Sequence, residues 1–444
     1  MSRNVAVVGA GICGLTTAHR LRKAGLQPVI FESSDRPGGR MHSVRRGDFV
    51  FDLGTVAPIG GMPLLPELVT AAGLDPQFSP VATMTVGIIR DGRAQYIDTA
   101  HALRDFVATG LFPLSSKLGL LKLAAHVFRR RKLFTSDNAI GLGALDRQTI
   151  GEYAAEHFDA DTLNYLFSPV MRGLNFTSTT DHRAVQLLWT LRQMAHGLYA
   201  FSGGNGSLPV ALAAQHAVRY GHAVERVEET AGGVALSYTE NGRHHTESFD
   251  ACVIATPAPL SLALFPAMGG AQRRFFEAIR FSSVIGVHVG LSKRPSNPEL
   301  LLMFPECEDS DVAAVYVNHN KAPGRAPLDK GSLSLYFTQE WSADKLAWSD
   351  DQLIELAIAR MTPHYGEIKP LIEEAVVARW PLFVMDPTPG LFAMMAEYQR
   401  TLDAAAPARV QIAGDFLPCA GINQAMASGA LAAERIVTAL QHSR

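Results

Sequence analysis

The pattern of apolar and polar positions changes its period along this chain, and these changes mark the predicted elements. Residues Asn4 to Val8 form a short apolar run typical of a buried strand, and a helical pattern follows through Lys23. Residues 28–32 indicate a second strand of the same kind. The order strand, helix, strand predicts a parallel βαβ unit at the start of the chain.

Further along, residues 86–97 predict two strands that turn at Asp91-Gly92. Helical patterns lie near 100–132, 149–175, 181–196 and 351–363, and Thr149 with Glu152 predicts a capping box. Strand-like runs return at 283–292, 299–305, 312–318, 332–338 and 374–380. The chain is therefore predicted to have an α/β fold, with a mixed sheet and helices added to the parallel unit.

Glycines occupy the turn between the first strand and its helix. Gly9 allows a sharp turn, Gly11 allows the backbone to approach a pyrophosphate, and Gly14 allows the helix to pack closely on the strand. The N-terminus of the helix offers free N–H groups to the phosphates. Glu32 ends the second strand, where a carboxylate can accept the ribose hydroxyl protons of an adenosine. These positions together predict a dinucleotide-binding site.

Composition narrows the class of protein. The 444 residues leave room for two or three domains, and a hydrophobic fraction of 47% excludes disorder as the main state. Only 18% of residues are charged, which suits a protein that encloses a large apolar ligand. A net charge of −2 lacks the basic footprint of a nucleic-acid-binding protein. The scattered cysteines Cys13, Cys252, Cys307 and Cys419 indicate neither a disulfide framework nor a zinc motif, which favours a reducing, cytoplasmic location.

A second glycine pair follows Glu32, in the run Arg36-Pro37-Gly38-Gly39-Arg40. The run from Glu32 to Arg40 resembles the E-x(n)-R-x-G-G-R signature of the flavin amine oxidase superfamily, which includes protoporphyrinogen oxidases and phytoene desaturases. Other segments are similar to further motifs of that superfamily, although Thr55 stands where the family has a second glycine. These segments are 51–56, 202–208, 223–227, 250–257 and 411–425.

The resemblance implies FAD, held noncovalently, as the cofactor. It implies a Rossmann-type FAD-binding domain built from residues 1–75, 203–262 and 395–444, and a substrate-binding domain built from 76–202 and 263–394. Within this likeness, Glu32 is expected on the adenosine ribose, Asp415 on the ribityl chain and Trp380 against the isoalloxazine. The full set of expected cofactor-binding residues is Gly9, Gly11, Cys13, Gly14, Glu32, Ser33, Gly38, Gly39, Arg40, Gly54, Thr55, Val224, Thr256, Trp380, Gly414, Asp415 and Ile422.

A flavin oxidises by accepting a hydride at N5, so the protein must mainly position a C–H bond and exclude water. The sequence accordingly offers no convincing catalytic triad, and no catalytic residue is assigned. Amine oxidases of the superfamily usually carry a lysine on a substrate-domain strand, where this chain has Gly286. This departure favours the protoporphyrinogen oxidase and desaturase branch and a hydrophobic small-molecule substrate. The expected substrate-pocket residues are Gly286, His288, Phe383 and Met385.

Several alternatives stay open at this stage. An amine oxidase of the same superfamily is the main one, followed by a redox-neutral flavin isomerase and a lipid-partner binding protein without enzymatic activity. Either oxygen or a quinone could be the electron acceptor. The adjacent His244 and His245 follow the Asn241-Gly242 turn, where successive side chains point to opposite faces of a sheet, so no metal site is predicted.

Residues 106–134 combine six lysines and arginines with no acidic residue. Leu114, Leu118, Leu121, Ala125 and Phe128 recur at helical spacing within this segment. The pattern indicates a basic amphipathic helix. It is open to two interpretations, a peripheral contact with an anionic membrane or an ordinary helix with a solvated basic face.

Overall fold

The structure is a computed structural model that describes residues 3–83, 85–101, 104–105, 108–135, 139–417 and 419–441. The described strands are β1 (Asn4–Val8), β2 (Gln27–Glu32), β3 (Ser43–Arg46), β4 (Phe49–Asp52), β5 (Phe78–Pro80), β6 (Thr85–Arg90), β7 (Arg93–Asp98), β8 (Tyr199–Phe201), β9 (Ala217–Tyr220), β10 (His222–Glu229), β11 (Val234–Glu240), β12 (Arg243–Phe249), β13 (Ala251–Ile254), β14 (Arg280–Phe281), β15 (Val284–Leu291), β16 (Leu301–Met303), β17 (Val312–Val317), β18 (Gly331–Phe337), β19 (Ile372–Trp380), β20 (Met385–Asp386) and β21 (Val410–Ile412).

The described α-helices are α1 (Ile12–Lys23), α2 (Leu64–Ala71), α3 (Leu114–Arg129), α4 (Ala139–Gly143), α5 (Ile150–His157), α6 (Ala160–Thr162), α7 (Ser168–Asn175), α8 (Ala184–Met194), α9 (Ser207–Ala213), α10 (Ala258–Leu264), α11 (Gly270–Ala278), α12 (Asn318–Lys321), α13 (Gln339–Ala343), α14 (Asp350–Tyr365), α15 (Leu391–Ala404) and α16 (Ile422–Gln441). A π-helical turn at Leu163–Phe167 joins α6 to α7. In this described part of the chain, no helix is both long and apolar enough to cross a membrane.

A five-stranded parallel sheet lies at the centre of the first layer, in the order β21-β13-β1-β2-β9. Its strands are apolar because both faces are covered. Val5 and Val7 of β1 pack in a core with α1 and α16, and Ala6 and Val8 pack on the other face with the three-stranded sheet β10-β11-β12. The predicted α/β fold with its Rossmann-type sheet is confirmed.

A seven-stranded mixed sheet forms the second layer, in the order β19-β15-β18-β17-β16-β6-β7. The predicted β6–β7 hairpin is present and turns at Asp91 and Gly92, which both have positive φ. One face of the sheet packs against α14, where Val287 of β15 meets Leu353. The other face, with Tyr336 of β18, turns toward the first layer.

Helices α3 to α8 form a third region, and here the elements differ from the sequence prediction. The pattern near 100–132 does not form one continuous helix, because Pro113 has an extended backbone and α3 begins only after it. A 3-10 turn at Thr99–His101 lies before it, and residues 102–103 and 106–107 lie outside the described part. The single helix predicted at 149–175 is broken: Phe158 is extended, and the Asp159 side chain accepts the Thr162 N–H as a new N-cap. The predicted capping box of Thr149 is present.

The strands of the parallel sheet come from residues within 1–75, 203–262 and 395–444. Those of the mixed sheet come from within 76–202 and 263–394. The two layers meet where Asp52 and Leu53, at the end of β4, accept hydrogen bonds from Tyr336 of β18 and Trp380 of β19. Arg40, after β2, reaches both Phe383 and Asp415 at the same junction. The bounds of the two domains remain a prediction.

Candidate functional site

The turn between β1 and α1 has the backbone geometry that the glycine spacing predicts. Gly9 has φ +102°, and a Cβ placed there would lie 2.8 Å from the carbonyl oxygen of Ala255. A Cβ at Gly14 would lie 2.0 Å from the Gly9 carbonyl oxygen, so only glycine lets α1 approach the strand so closely. At Gly11, by contrast, a Cβ would meet nothing within 4 Å. The turn is therefore packed at two glycines and open at the third.

The first turn of α1 contains no acidic residue, and its N-cap Gly11 has no side chain to accept a hydrogen bond. Helix N-termini carry N–H groups without intrahelical partners and a partial positive charge. Cys13, also predicted here, is buried in this turn, and burial raises the pKa of its thiol. The open end of α1 thus offers backbone donors to an anion, without a thiolate.

Glu32 lies at the end of β2 beside this turn. Its Oε2 accepts the Ala10 N–H at 2.8 Å, and its Oε1 accepts the N–H and the hydroxyl of Ser34 at 2.9 and 2.7 Å. The hydroxyl of Ser33 lies 3.5 Å from Oε1. These bonds fix the carboxylate next to the open helix end, where it can still accept hydroxyl protons.

The second glycine pair packs against the first turn. The Gly38 N–H donates to the Ala10 carbonyl at 2.8 Å, and a Cβ at Gly39 would lie 3.8 Å from the Gly11 Cα. Arg40 then reaches across the junction, with Nη2 2.6 Å from Asp415 Oδ1 and Nη1 2.5 Å from the Phe383 carbonyl oxygen. Two predicted cofactor residues, Arg40 and Asp415, are thus brought into direct contact.

The loop after β4 is held from both layers. Thr55 donates its N–H and its hydroxyl to the Arg40 carbonyl, at 3.0 and 3.2 Å. Trp380 Nε1 donates to the Leu53 carbonyl at 2.7 Å. A Cβ at Gly54 would lie 2.0 Å from the Arg40 carbonyl oxygen and 3.2 Å from Trp380 Cζ2. The indole of Trp380 therefore lies against the Gly54 loop, and its contact with the isoalloxazine stays a prediction.

Thr256 and the start of the last helix complete the junction. Thr256 Cγ2 lies 3.7 Å from the Cβ position of Gly9, so the turn after β13 adjoins the glycine turn. Ile422 is the first residue of α16 and is buried. The Gly414 N–H donates to Ser428 Oγ at 3.1 Å, which ties the Asp415 loop to this helix.

Val224 lies away from this junction, in β10 of the three-stranded sheet. It pairs with Tyr238, whose ring lies 5.1 Å from that of Phe31, the residue before Glu32. Val224 thus shares the Glu32 end of the parallel sheet, where an adenosine was expected.

The aromatic side chains between the layers form a continuous cluster. Phe176 stacks on Tyr336 at 4.7 Å and lies 5.7 Å from Phe383, which lies 6.1 Å from Trp380. Phe176 has φ +60°, a strained conformation for a bulky residue. We call Trp380, Phe383, Phe176 and Tyr336 the aromatic wall. Phe176 and Tyr336 were not predicted, because nothing local in the sequence marks them.

Gly286 and His288 share the face of β15 that adjoins this wall. A Cβ at Gly286 would lie 3.0 Å from the Tyr336 ring and 3.1 Å from His288 Nε2, so Tyr336 fills the space beside the glycine. The His288 Nδ1 lies 2.7 Å from Ser334 Oγ, and burial lowers the pKa of this histidine to about 3. His288 is therefore neutral at ordinary pH. Met385 packs instead in the helical core with Phe392 and Phe416, apart from the wall.

A buried ionic cluster at the end of β4 was also not predicted from the sequence. Asp52 Oδ2 lies 2.6 Å from Lys321 Nζ and 2.8 Å from Arg325 Nη2, and all three side chains are at most 3% exposed. Lys321 also donates to the Val56 carbonyl at 2.5 Å, and Tyr336 donates to the Asp52 carbonyl at 3.2 Å. The cluster thus anchors both ends of the Gly54 loop. The only sign of this cluster in the sequence was Asp52 itself, within the segment 51–56 that resembles a family motif.

These features fit a flavin dinucleotide. The open space at Gly11, the uncapped helix end and the fixed Glu32 carboxylate provide the separate sites that a pyrophosphate and an adenosine ribose require. Farther along the same junction, the Gly54 loop holds the planar indole of Trp380, an aromatic neighbour suited to a flavin ring.

Known proteins support this assignment. The coproporphyrinogen III oxidases of Staphylococcus aureus and Mycobacterium bovis are 22% and 27% identical to the chain, over 99% of it and 100% and 98% of their own lengths. Protoporphyrinogen oxidase 2 of Arabidopsis thaliana is 28% identical over 40% of this chain, a match that spans 33% of that protein.

Solved structures share the fold over almost the whole chain. Cyclohexylamine oxidase from Brevibacterium oxydans superposes with a TM-score of 0.77 at 17% identity, covering 99% of this chain and 100% of its own. A putative protoporphyrinogen oxidase from Exiguobacterium gives 0.76 at 17% identity, covering 98% and 99%. The model of the flavin containing amine oxidoreductases matches residues 12–437. The chain belongs to this family and is an FAD-dependent oxidase.

Proposed function

We propose that this protein dehydrogenates a hydrophobic, porphyrinogen-like small molecule. The observation that carries the proposal is the aromatic wall beside the Gly54 loop, where Trp380 is fixed by its bond to the Leu53 carbonyl. Phe176, Tyr336 and Phe383 of this wall are buried in the protein, and an apolar, aromatic environment of this kind suits a large, flat, hydrophobic substrate. The coproporphyrinogen III oxidases that align over nearly the whole chain point to the same substrate class.

Different residues in and near the junction would bind different parts of FAD. The open end of α1 at Gly11 would hold the pyrophosphate, Glu32 the adenosine ribose, and the β10 strand at Val224 the adenine. Arg40 and Asp415 would bind the part of the cofactor between the two layers, and the N-terminus of α16 at Ile422 would stabilise negative charge on the ring. Binding is noncovalent in this proposal, so acid precipitation should release the yellow colour into the supernatant.

The chemistry that bound FAD would supply is the acceptance of a hydride from a substrate C–H bond, and the protein's part would be to position that bond and exclude water. Phe176 is held in a strained conformation against Tyr336, which fixes one side of the wall. His288 is neutral and fully buried, so it adds no charge beside the substrate.

The same geometry argues against an amine as the preferred substrate. Strand β15 carries no lysine, and its Gly286 position is filled by the Tyr336 ring. The amine oxidases that share the fold do so at 17% identity, which reflects the architecture alone. The electron acceptor would be oxygen or a quinone.

A direct assay tests this function. The flavin-loaded protein is supplied in turn with coproporphyrinogen III, protoporphyrinogen IX, cyclohexylamine and putrescine, with porphyrin fluorescence and peroxide as readouts. Porphyrin formation above the autoxidation rate supports the proposal, and peroxide release identifies oxygen as the acceptor. Turnover of an amine with no porphyrin formed would overturn it.

A matched pair of variants tests the role of the wall. Trp380→Leu should lower turnover of the porphyrinogen, because it removes the ring that packs on Gly54. Trp348→Leu, at a tryptophan that is 37% exposed and contacts Trp341, should not. Equal activity of the two variants would mean that Trp380 is not part of the substrate site.

A further inference from the structure

Helix α3 has two apolar faces, and only one of them packs on the protein. Leu123 is buried in the helical core, and Leu120 and Val127 pack against the same core. Leu114, Leu118, Leu121 and Phe128 recur on the opposite side at helical spacing, with exposed fractions of 73%, 57%, 63% and 63%. We call these four residues the outer stripe.

Such a stripe is unusual for a protein surface. Single exposed leucines are common, but adjoining ones in a row mark an interaction site. Of the eleven large hydrophobic side chains that are exposed in the described part of the chain, four belong to this one helix.

The charges that the helical segment itself carries all have one sign. Lys122, Arg129 and Lys132 are exposed, and the whole segment 106–134 contains no acidic residue. The guanidinium of Arg131 lies 4.1 Å from the centre of the Phe128 ring and donates to the Phe128 carbonyl. The helix therefore presents apolar side chains with cations at its C-terminal end.

Two carboxylates lie on one flank of α3. Asp159 accepts the Ser116 hydroxyl at 2.6 Å and caps α6, and Glu156 accepts from Gln148 at 2.5 Å. These donors are neutral, so both carboxylates keep their charge, and they line a cavity of about 310 Å³ together with Leu118 and Lys122. Arg129 and Lys132 lie outside this lining and are exposed, so the C-terminal end of α3 is where cations are available to an outside ligand.

We propose that the outer stripe docks onto an anionic lipid surface, with α3 lying in the plane of the membrane interface. Leucine and phenylalanine would enter the acyl boundary, and the lysines and arginines would contact lipid phosphates. A second copy of the chain fits less well, because a symmetric pair would bring two surfaces that carry the same positive charges together. This inference does not depend on the reaction that the protein catalyses.

The test is sedimentation of the flavin-loaded protein with phosphatidylcholine vesicles, with and without phosphatidylglycerol. Binding is expected only to the vesicles that contain phosphatidylglycerol, and it should weaken as salt rises. The variant Lys122→Gln/Arg129→Gln/Lys132→Gln should lower the partition coefficient about a hundredfold, from the loss of three cations near the surface. The variant Leu118→Gln/Leu121→Gln/Phe128→Gln should abolish binding.

The matched control is Leu260→Gln/Leu328→Gln, which changes two leucines elsewhere that are 49% and 90% exposed. This variant should bind the vesicles as well as the wild type. Flavin content and melting temperature verify that each variant is folded, and the charge variant still decides the question if the apolar one does not fold. Failure of the wild-type protein to sediment with anionic vesicles would overturn the proposal. So would a wild-type dimer that the stripe variant converts to a monomer, because a second copy would then cover the stripe.

Discussion

Arg40 and Asp415 are 375 positions apart in the chain, yet Arg40 Nη2 lies 2.6 Å from Asp415 Oδ1. The same guanidinium donates to the Phe383 carbonyl. One side chain therefore ties the segment after β2 to the closing loop after β21 and to the aromatic wall. The two residues form a partly buried ion pair at the junction of the two layers, with side chains 26% and 11% exposed.

The first prediction concerns this pair. Asp415→Asn should raise the dissociation constant of FAD by about ten- to a hundredfold, because a charged hydrogen bond that orients Arg40 is lost. Titration of the apoprotein with FAD, followed by flavin fluorescence, measures it. Glu355→Gln breaks an ion pair of similar length, 2.8 Å, at the exposed Lys369 on the outer side of the mixed sheet, and should leave FAD affinity unchanged. Equal affinities for both variants would show that the Arg40 pair has no part in binding.

The second prediction separates two glycines of one motif. Gly11→Ala should leave the melting temperature of the apoprotein unchanged, since the new methyl group points into open space, and should weaken FAD binding because that space is needed by the pyrophosphate. Gly14→Ala should instead destabilise the fold itself by about 1–3 kcal/mol or more, because its Cβ would lie 2.0 Å from the Gly9 carbonyl oxygen.

Thermal melts of the two apoproteins and FAD titrations distinguish the two effects. If Gly11→Ala bound FAD as tightly as the wild type, the cofactor would not approach the backbone at this turn.

The glycine turn could be predicted from the sequence because its geometry is local. Gly9, Gly11, Gly14 and Glu32 lie within one βαβ unit. Gly9 has positive φ in the turn of this unit, and Gly14 avoids a close contact with Gly9. Glu32 accepts a hydrogen bond from the turn, and Gly11 leaves the turn open. The broken helix after His157 was missed for a related reason. A single capping side chain, Asp159, outweighed a continuous helical pattern.

The rest of the site depends on contacts that sequence spacing does not reveal. Tyr336 occupies the space at Gly286 from another strand, and Lys321 reaches Asp52 across 269 positions. Met385 and Phe383 were both predicted as substrate-pocket residues. The β14–β20 pairing places Met385 opposite Phe281, and it packs in the helical core. Long-range packing decided these positions, and a single sequence carries little information about it.

The third prediction follows from the contact between Gly286 and Tyr336. Gly286→Ala should destabilise the protein by about 1–3 kcal/mol, because a Cβ would press on the Tyr336 ring at 3.0 Å and on His288 Nε2 at 3.1 Å. Gly286→Lys should lower the stability further, because the longer side chain would also have to fit beside Tyr336. Gly232→Ala serves as the control, since a Cβ there meets nothing within 4 Å.

Urea denaturation of the variants measures the effect. In the background Tyr336→Leu, which removes the ring, Gly286→Ala should cost less. An unchanged cost in that background would mean that Tyr336 is not the obstacle.

The fourth prediction concerns the buried cluster of Asp52, Lys321 and Arg325. Burial alone would raise the pKa of Asp52, but the adjacent Arg325 and Lys321 charges hold it well below its usual range. Asp52→Asn removes the one carboxylate between two buried cations and should cost about 3–5 kcal/mol at neutral pH. Because this loosens the Gly54 loop through Lys321 and Val56, FAD affinity should fall as well.

The pH dependence has a definite sign. A carboxyl group whose pKa is lower in the folded state stabilises the protein above its unfolded pKa, near the usual value of 3.8, and this stability is lost as the pH falls toward the folded pKa. The stability difference between the wild type and Asp52→Asn should therefore be largest near neutral pH and should shrink as the pH drops below about 4. Asp48→Asn, at a carboxylate that is 62% exposed and pairs with Lys330, should show almost no difference at either pH. Urea denaturation at neutral and acidic pH measures the difference, and a gap that stayed constant or widened in acid would mean that Asp52 is not held ionised by its two cationic partners.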